Sequence, residues 1–386
     1  MSDRERELME DLEEEFEEDL DRDFDELDED LENLSNLDEI DQVNTMIMLE
    51  DKLPKGLKHL IDGYVDYAKE VVVDRAIPGI DGLKPSQRRI LYTMKFIEKV
   101  NDLSKSANIS GATMKIHPHG DASIYETMVR MVDSSLVMNI PYLEGKGSFG
   151  KVFSSYSRPA ASRYTQVKLS KVSEELFRGM NGVEMVPSYN NEYEEPLLLP
   201  VSFPTILCNP AEGIAVGLAA KIPSFNFHEV IDATIEYIKT GVISKPLCPD
   251  FTTGGYYVKN DRELQKLMKT GNARLKLRGK WRIDGKFIVI EEIPYITTIE
   301  KIMKSIKDLP NIVDVKDESD RKGLRLTIEC SSKKVVESVL KEVLRVSSLQ
   351  CVFHSNIVVI IDNQPEVIGV EEVIKRWVEF REEVVE

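Results

Sequence analysis

DGLKPSQRRILYTM, residues 81–94, frames the reading of everything around it. Pro85 stands where a first helical turn tolerates a missing N–H. Ile90, Leu91, Met94 and Ile97 then recur at helical spacing and mark one buried face. Arg88, Arg89 and Lys95 fall largely off that face. Lys84, Arg88 and Arg89 crowd the start of this predicted helix. Helix N-termini and basic side chains both favour phosphate oxygens, so the cluster reads as a phosphate-binding surface. An ordinary solvated helix end fits the same residues equally well.

Working outward, HPHGDASIYETMVRMV spans residues 117–132. A second helix is predicted from Gly120 or Asp121, with Ile124, Met128, Met131 and Val132 as its inner stripe and Ser123, Glu126 and Arg130 more exposed. Two short helices followed by a loop of Gly and polar residues fit a helix-turn-helix unit, although many small helical cores share that pattern. His117 and His119 flank Pro118 just before the helix. Two imidazoles there could bind metal, transfer a proton or contact phosphate. No third metal ligand stands nearby, so a phosphate or proton-transfer role for His119 is favoured over a zinc site, and a structural histidine is the alternative.

GKGSFG, residues 145–150, formally matches GxGxxG. The dinucleotide fingerprint also needs a following helix and an acid about 20 residues on. Here the glycines lead into Lys151, Val152, Ser154, Ser155 and Tyr156, so a nucleotide site is rejected in favour of a flexible loop that lets backbone approach nucleic acid. AASRYT comes next, at residues 160–165. A free phenol has a pKa of about 10 and is a poor nucleophile at neutral pH. Attack on a phosphodiester by Tyr164 would need proton removal and cations around the developing charge, and Arg163 can supply one. Alone, an Arg-Tyr pair is common and usually inert.

The formal net charge of -18 is unusual for a nucleic-acid-binding chain, but its location resolves this. Residues 1–41 hold 22 Asp or Glu against 3 Arg, which leaves the remainder close to neutral and free to carry a local basic surface. Within this stretch Leu8, Leu12, Phe16, Leu20, Phe24, Leu27, Leu31 and Leu34 keep helical spacing. The segment reads either as a solvated, partly disordered charge run or as an acidic helix that docks on a basic surface. Asp-x-Asp spacings there, such as Asp21 and Asp23, lack the rigid frame a metal site needs. No apolar run of about 18 residues suggests a membrane span, and the acidic start has no signal-peptide pattern. Cys208, Cys248, Cys330 and Cys351 lie far apart with no CxxC pair, which predicts free thiols in a reducing, cytoplasmic compartment.

After about Pro196 the pattern becomes mixed. Phe287–Ile293 and Leu324–Cys330 read as strands, and Ile299–Leu309 and Lys333–Val346 as amphipathic helices. Ile357–Ile361 reads as a strand ending in the turn Asp362-Asn363-Gln364-Pro365. A last helix carries Val370, Val373, Ile374, Trp377, Phe380 and Val384 and has no Gly or Pro terminator, as though it continued. No catalytic cluster is evident in this half.

The order of the motifs is more specific than any one of them. DGLKPSQRRILYTM, HPHGD, GKGSFG and AASRYT, then GIAVG at 213–217 and EEIPY at 291–295, resemble the DNA-cleaving chain of type IIA DNA topoisomerases, the A subunits of bacterial gyrase and topoisomerase IV and their phage counterparts. The resemblance runs from about Leu53 to the C-terminus. It implies an α+β multidomain fold: an acidic N-terminal extension over 1–50, helical or disordered, a winged-helix, CAP-like DNA-cleavage domain over 51–195, an α/β tower domain over 196–366, and the start of a coiled-coil helix over 367–386. It implies that Tyr164 forms a 5′-phosphotyrosyl bond, that Arg163 steadies the transition-state charge, and that Arg75 serves the active site of the other protomer. Lys84 and Arg89 match DNA-contacting positions, and Arg88 and His117 are grouped with them. His119 matches the histidine near the scissile phosphate, and Ile214 the isoleucine that wedges between base pairs. The implied partners are double-stranded DNA, a second copy of the chain in a homodimer, and a gyrase B-like ATPase/Toprim subunit that carries both Mg²⁺ and ATP. No metal site is expected on this chain.

Departures from the family pattern set further expectations. Gln87 replaces a usual His. Ala122 and Glu126 occupy the positions where bacterial enzymes commonly carry a Ser and an acid that anchor quinolones, and Ala122 has no hydroxyl, so quinolone-stimulated cleavage is predicted to be weak at ordinary drug concentrations. The sequence stops where the family's coiled coil begins, so the gate is expected on a separate chain or absent, which favours relaxation and decatenation over supercoiling. The competing reading is a winged-helix protein that binds and bends DNA without cutting it.

Overall fold

The computed structural model describes residues 55–320 and 323–386. The acidic stripe from Leu8 to Leu34 lies outside the described residues. The chain forms two units, residues 1–70 and 71–386. In the first, the described element is helix α1, Lys55–Val71.

In the second unit a π-helical turn, Val72–Ala76, precedes helix α2, Pro85–Tyr92, which opens at the predicted proline. Ile90, Leu91 and Met94 are fully buried, as their spacing predicts. Arg88 is a correction: it is 8% exposed rather than off the buried face. Its Nε and Nη2 donate to the two carboxylate oxygens of Asp81 at 2.7 and 2.8 Å, and Nη2 also donates to the Leu83 carbonyl at 3.0 Å. A buried guanidinium persists here because a carboxylate and a carbonyl satisfy it. Asp81 also accepts from the Leu199 amide at 2.9 Å, so the pair fixes the helix start to a distant segment.

Strand β1, Ser104–Lys105, and helix α3, Ser106–Thr113, intervene before helix α4, Asp121–Met131. The sequence SANISGAT offers no apolar stripe and, apart from its two alanines, consists of weaker helix formers, so α3 is invisible to periodicity. The adjacent helix pair is therefore α3 and α4, with α2 packed on both. Strands β2, Leu143–Lys146, and β5, Gln166–Leu169, complete an antiparallel sheet in the order β1-β5-β2. Strands β3, Phe149–Lys151, and β4, Ser154–Pro159, form a hairpin. GKGSFG thus lies mostly in strands rather than in the expected flexible loop. Its glycines permit close packing: a Cβ on Gly145 would collide with the Val132 side chain, and one on Gly150 with the Ser157 carbonyl.

Beyond the hairpin of β6, Met185–Pro187, and β7, Glu194–Pro196, comes the short helix α5, Thr205–Cys208. Strands β8, Ala211–Ile214, and β9, Ala219–Ile222, join β10, Tyr256–Tyr257, β11, Asn272–Arg278, and β16, Gln350–Asn356, in a five-stranded sheet ordered β10-β11-β16-β9-β8. Helices α6, Phe227–Thr240, and α7, Asp261–Thr270, each begin at an Asn side-chain cap, Asn226 and Asn260, and end at a glycine of positive φ, Gly241 and Gly271. A single apolar core includes Leu83, Ile124, Leu143, Phe225, Phe353 and Trp377.

A second core lies under the sheet β12-β13-β15-β14, formed by Lys280–Asp284, Phe287–Glu292, Leu326–Cys330 and Ile312–Asp317 respectively. Helices α8, Ile299–Ile306, and α9, Val336–Val346, cover it with Ile299, Ile302, Val339 and Val343. Strands β17, Val358–Ile361, and β18, Gln364–Val367, turn at Asp362 and Asn363, both of positive φ. The last helix, α10, Val370–Val385, buries Val370, Val373, Ile374 and Trp377. The four cysteines are free thiols. Among the described residues no helix is long and apolar enough to cross a membrane.

Candidate functional site

A groove of about 720 Å³ brings together Arg75, Lys84, His117, His119 and Ile214, and adds Arg130 and Lys221. The π-helical turn delivers Arg75, which has no acidic partner among the described residues. Lys84 caps α2: its amide donates to the Gln87 side-chain oxygen at 3.0 Å, and its ammonium donates to the Glu212 carbonyl at 2.5 Å. Burial, and then the nearby Arg130, hold the Lys84 ammonium below the usual lysine range, while Glu212 opposes them. A cation that leans on a carbonyl and faces another cation is poised for an added anion.

Gly213 explains how β8 reaches this place. A Cβ there would collide with the Ala76 carbonyl oxygen, so only glycine lets the strand press against the turn that carries Arg75. The next residue, Ile214, ends the strand and is 87% exposed. The chain then reverses through Gly217 at φ 68°, with the Ala215 amide donating to the Leu218 carbonyl at 2.8 Å. Among the described residues this large aliphatic side chain beside a tight turn joins no apolar core.

The two histidines differ in environment. His117 is buried, and its Nδ1 lies 3.0 Å from Arg89 Nη1. Burial first, then Arg89 and His119, push its pKa down to about 3, so it is a neutral ring at pH 7 and accepts from Arg89. Arg89 in turn donates twice to Glu195, at 2.6 and 2.9 Å. His119 is exposed, with its ring centroid 4.5 Å from that of His117. The buried ring supports the exposed one. Arg88 and Arg89 do not face the groove: they line a separate cavity of about 490 Å³, and both guanidinia are engaged by carboxylates.

Tyr164 and Arg163 stand outside the groove's lining. They sit on the single 3₁₀ turn Ser162–Tyr164, where the Tyr164 amide donates to the Ala161 carbonyl at 2.8 Å. Tyr164 is 65% exposed. The Arg163 guanidinium carbon lies 4.6 Å from the ring centroid, a cation held beside the phenol. Arg130 and Lys221 escaped the sequence reading as site residues. Arg130 is visible there as an outward position of α4, whereas Lys221 enters through strand pairing that no local pattern announces.

Among the described residues no three His, Cys, Asp or Glu side chains converge on a common point. Two of the groove's carboxylates are engaged by cations, Glu126 with Arg130 at 3.2 Å and Glu212 with Lys221 at 3.8 Å.

These features define a class: a mixed helix-and-sheet chain with a cationic groove tipped by an exposed aliphatic side chain, and a solvent-facing tyrosine beside an arginine. The family of DNA gyrase/topoisomerase IV A subunits matches residues 75–386. The chain is 37% identical to the DNA gyrase A subunit of Aminobacterium colombiense over 358 residues, covering 86% of this chain and 43% of that protein. It is 37% identical to the DNA gyrase A subunit of Neisseria gonorrhoeae over 366 residues, covering 88% and 38%. The chloroplastic/mitochondrial DNA gyrase A subunit of Nicotiana benthamiana is 36% identical over 355 residues, with 85% and 38% covered. This chain belongs to the family of DNA gyrase/topoisomerase IV A subunits. It spans roughly two fifths of the length of these relatives.

Proposed function

We infer that this chain is the breakage-reunion subunit of a type IIA DNA topoisomerase, and that its nucleophile is Tyr164. The observation that carries this reading is an exposed phenol beside Arg163, on a chain whose groove holds Arg75, Lys84 and His119. In the proposed step the Tyr164 oxygen attacks phosphorus, the bond from phosphorus to the 3′ oxygen breaks, and a 5′-phosphotyrosyl bond forms. The phenolic proton leaves to solvent or a base, and the 3′ oxygen takes a proton. One ester replaces another, so the 3′-hydroxyl can reverse the reaction and reseal the strand.

Within one copy the groove and Tyr164 are separate surfaces. A homodimer would bring Arg75 and His119 of one protomer to Tyr164 of the other, with Arg163 acting on its own protomer's charge. Lys84 would hold a phosphate, and Ile214 would wedge between base pairs and bend the duplex. Arg89 is assigned an indirect role, fixing the neutral His117 ring. Residues 51–195 would form the winged-helix cleavage domain, 196–366 the tower, and 367–386 the start of a coiled coil. ATP and Mg²⁺ are assigned to a gyrase B-like partner subunit, where the metal would supply charge stabilisation to the phosphoryl chemistry. The reading favours relaxation and decatenation of double-stranded DNA in the cytoplasm.

The test is detergent trapping of covalent complexes from the chain and an ATPase partner on supercoiled DNA. An adduct that disappears in Tyr164→Phe is expected. An adduct that survives Tyr164→Phe, or no adduct with a competent partner, would leave a protein that grips and bends DNA without cutting it.

A further inference from the structure

The turn that carries Tyr164 is too short to hold itself in place. Three residues of 3₁₀ helix with one intra-turn bond would leave the phenol to wander. The next residue along the chain is anchored far more firmly. Thr165 is fully buried, and its hydroxyl hydrogen-bonds the equally buried Ser106 hydroxyl at 2.8 Å. The Ser106 amide donates to the Thr165 carbonyl at 3.1 Å, so the first residue of α3 grips Thr165 through main chain and side chain together. From the other side, the Tyr125 hydroxyl of α4 donates to the Ala160 carbonyl at 2.6 Å and lies 3.0 Å from the Thr165 hydroxyl. Residues 160 and 165 bracket the turn, and one phenol oxygen reaches both.

Gly147 closes the back of this clamp. Its φ is 120°, and a Cβ there would crowd Thr165 and the Tyr164 carbonyl at 3.2 to 3.3 Å. The chain of three hydroxyls serves no core-filling purpose: each oxygen is directed at the segment from Ala160 to Thr165.

We propose that Tyr125 is a positioning residue for the reaction of Tyr164, acting through Thr165 and Ser106 to fix the turn on which the nucleophile stands. The inference rests on the proposed function and adds a residue from the helix that also lines the groove with Glu126 and Arg130. The orientation of α4 and the position of the phenol are thereby tied by two hydrogen bonds. Cleavage depends steeply on nucleophile placement, so loosening the clamp should slow chemistry without weakening binding.

The experiment uses the full chain with its ATPase partner and a DNA duplex, and measures single-turnover adduct formation and DNA affinity separately. Tyr125→Phe keeps the ring and removes the hydroxyl. We expect adduct formation to fall on the order of tenfold with DNA affinity within about twofold of wild type. Thr165→Val should lose rate similarly, Thr165→Ser should retain it, and the Tyr125→Phe/Thr165→Val pair should cost little more than either alone, as members of one unit do. Should Tyr125→Phe fail to fold, the contrast between Thr165→Ser and Thr165→Val decides. Wild-type rates in Tyr125→Phe, or a loss confined to DNA affinity, overturn the proposal while the assignment of Tyr164 stands. A wild-type protein that forms no adduct at all removes both.

Discussion

The four-stranded sheet β12–β15 pairs all of its cations with carboxylates, whereas the groove pairs only some of its own, Arg130 with Glu126 and Lys221 with Glu212. On the sheet, Lys280 pairs with Glu292 at 3.3 Å, Arg282 with Glu291 at 2.9 Å, and Lys316 with Asp314 at 3.1 Å. Every basic side chain on those strands has a carboxylate on the same or an adjacent strand. In the groove and on the tyrosine turn, Arg75, Lys84 and Arg163 have no carboxylate at ion-pair distance among the described residues. Paired surface charges are nearly neutral in energy and present little net field. Unpaired ones attract anions, and a polyanion most of all. The difference separates scaffold from binding surface, although both regions are built of the same mixture of strands and helices.

The largest effect is expected at Arg75. Arg75→Ala should lower the rate of adduct formation by about 100-fold, the cost of removing one donor from a developing charge. Lys84→Ala should weaken DNA binding about tenfold and reduce the slope of log affinity against log salt by about one, which binding isotherms at several salt concentrations would reveal. An unchanged slope would mean that Lys84 serves only Glu212.

His117 tests the buried wall of the groove. Its folded pKa of about 3 lies below the ordinary value of 6.5. The unfolded chain therefore takes up a proton that the folded chain refuses. Stability from this group is complete above pH 6.5 and falls as pH drops toward 3, by at most about 1.4 kcal/mol per pH unit. Denaturant unfolding at pH 7, 6 and 5 should show a shallower decline in His117→Asn. The smallest effect belongs to the sheet: Arg282→Ala should cost under about 1 kcal/mol and leave the salt slope of DNA binding untouched. A changed slope there would erase the distinction between the two regions.

The sequence is readable where period and burial coincide. Ile90 and Leu91 in α2 and Ile124 and Met128 in α4 fall on the predicted inner faces, and the amphipathic helix expected from Ile299 is α8, which buries Ile299 and Ile302. It is silent where tertiary contact overrides local preference. Helix α3, SANISGAT, has no apolar period, and its first residue, Ser106, is held by Thr165, a partner far along the chain. Arg88 looks like a surface cation until Asp81 folds back on it. Tyr164 and Arg163 stand out in sequence only through the motifs around them, because an exposed Arg-Tyr pair leaves no hydrophobic pattern. Lys221 joins the groove through pairing of β9 with β8, which alternation within β9 does not reveal.

The most direct measurement is to digest the trapped protein–DNA complex and map the nucleotide-bearing peptide by mass spectrometry. A single site is expected, on the peptide holding Arg163 and Tyr164, with the 5′ phosphate on the phenol. A nucleotide on another side chain, such as the still more exposed Tyr156, or a complex carrying no covalent nucleotide at all, would contradict it.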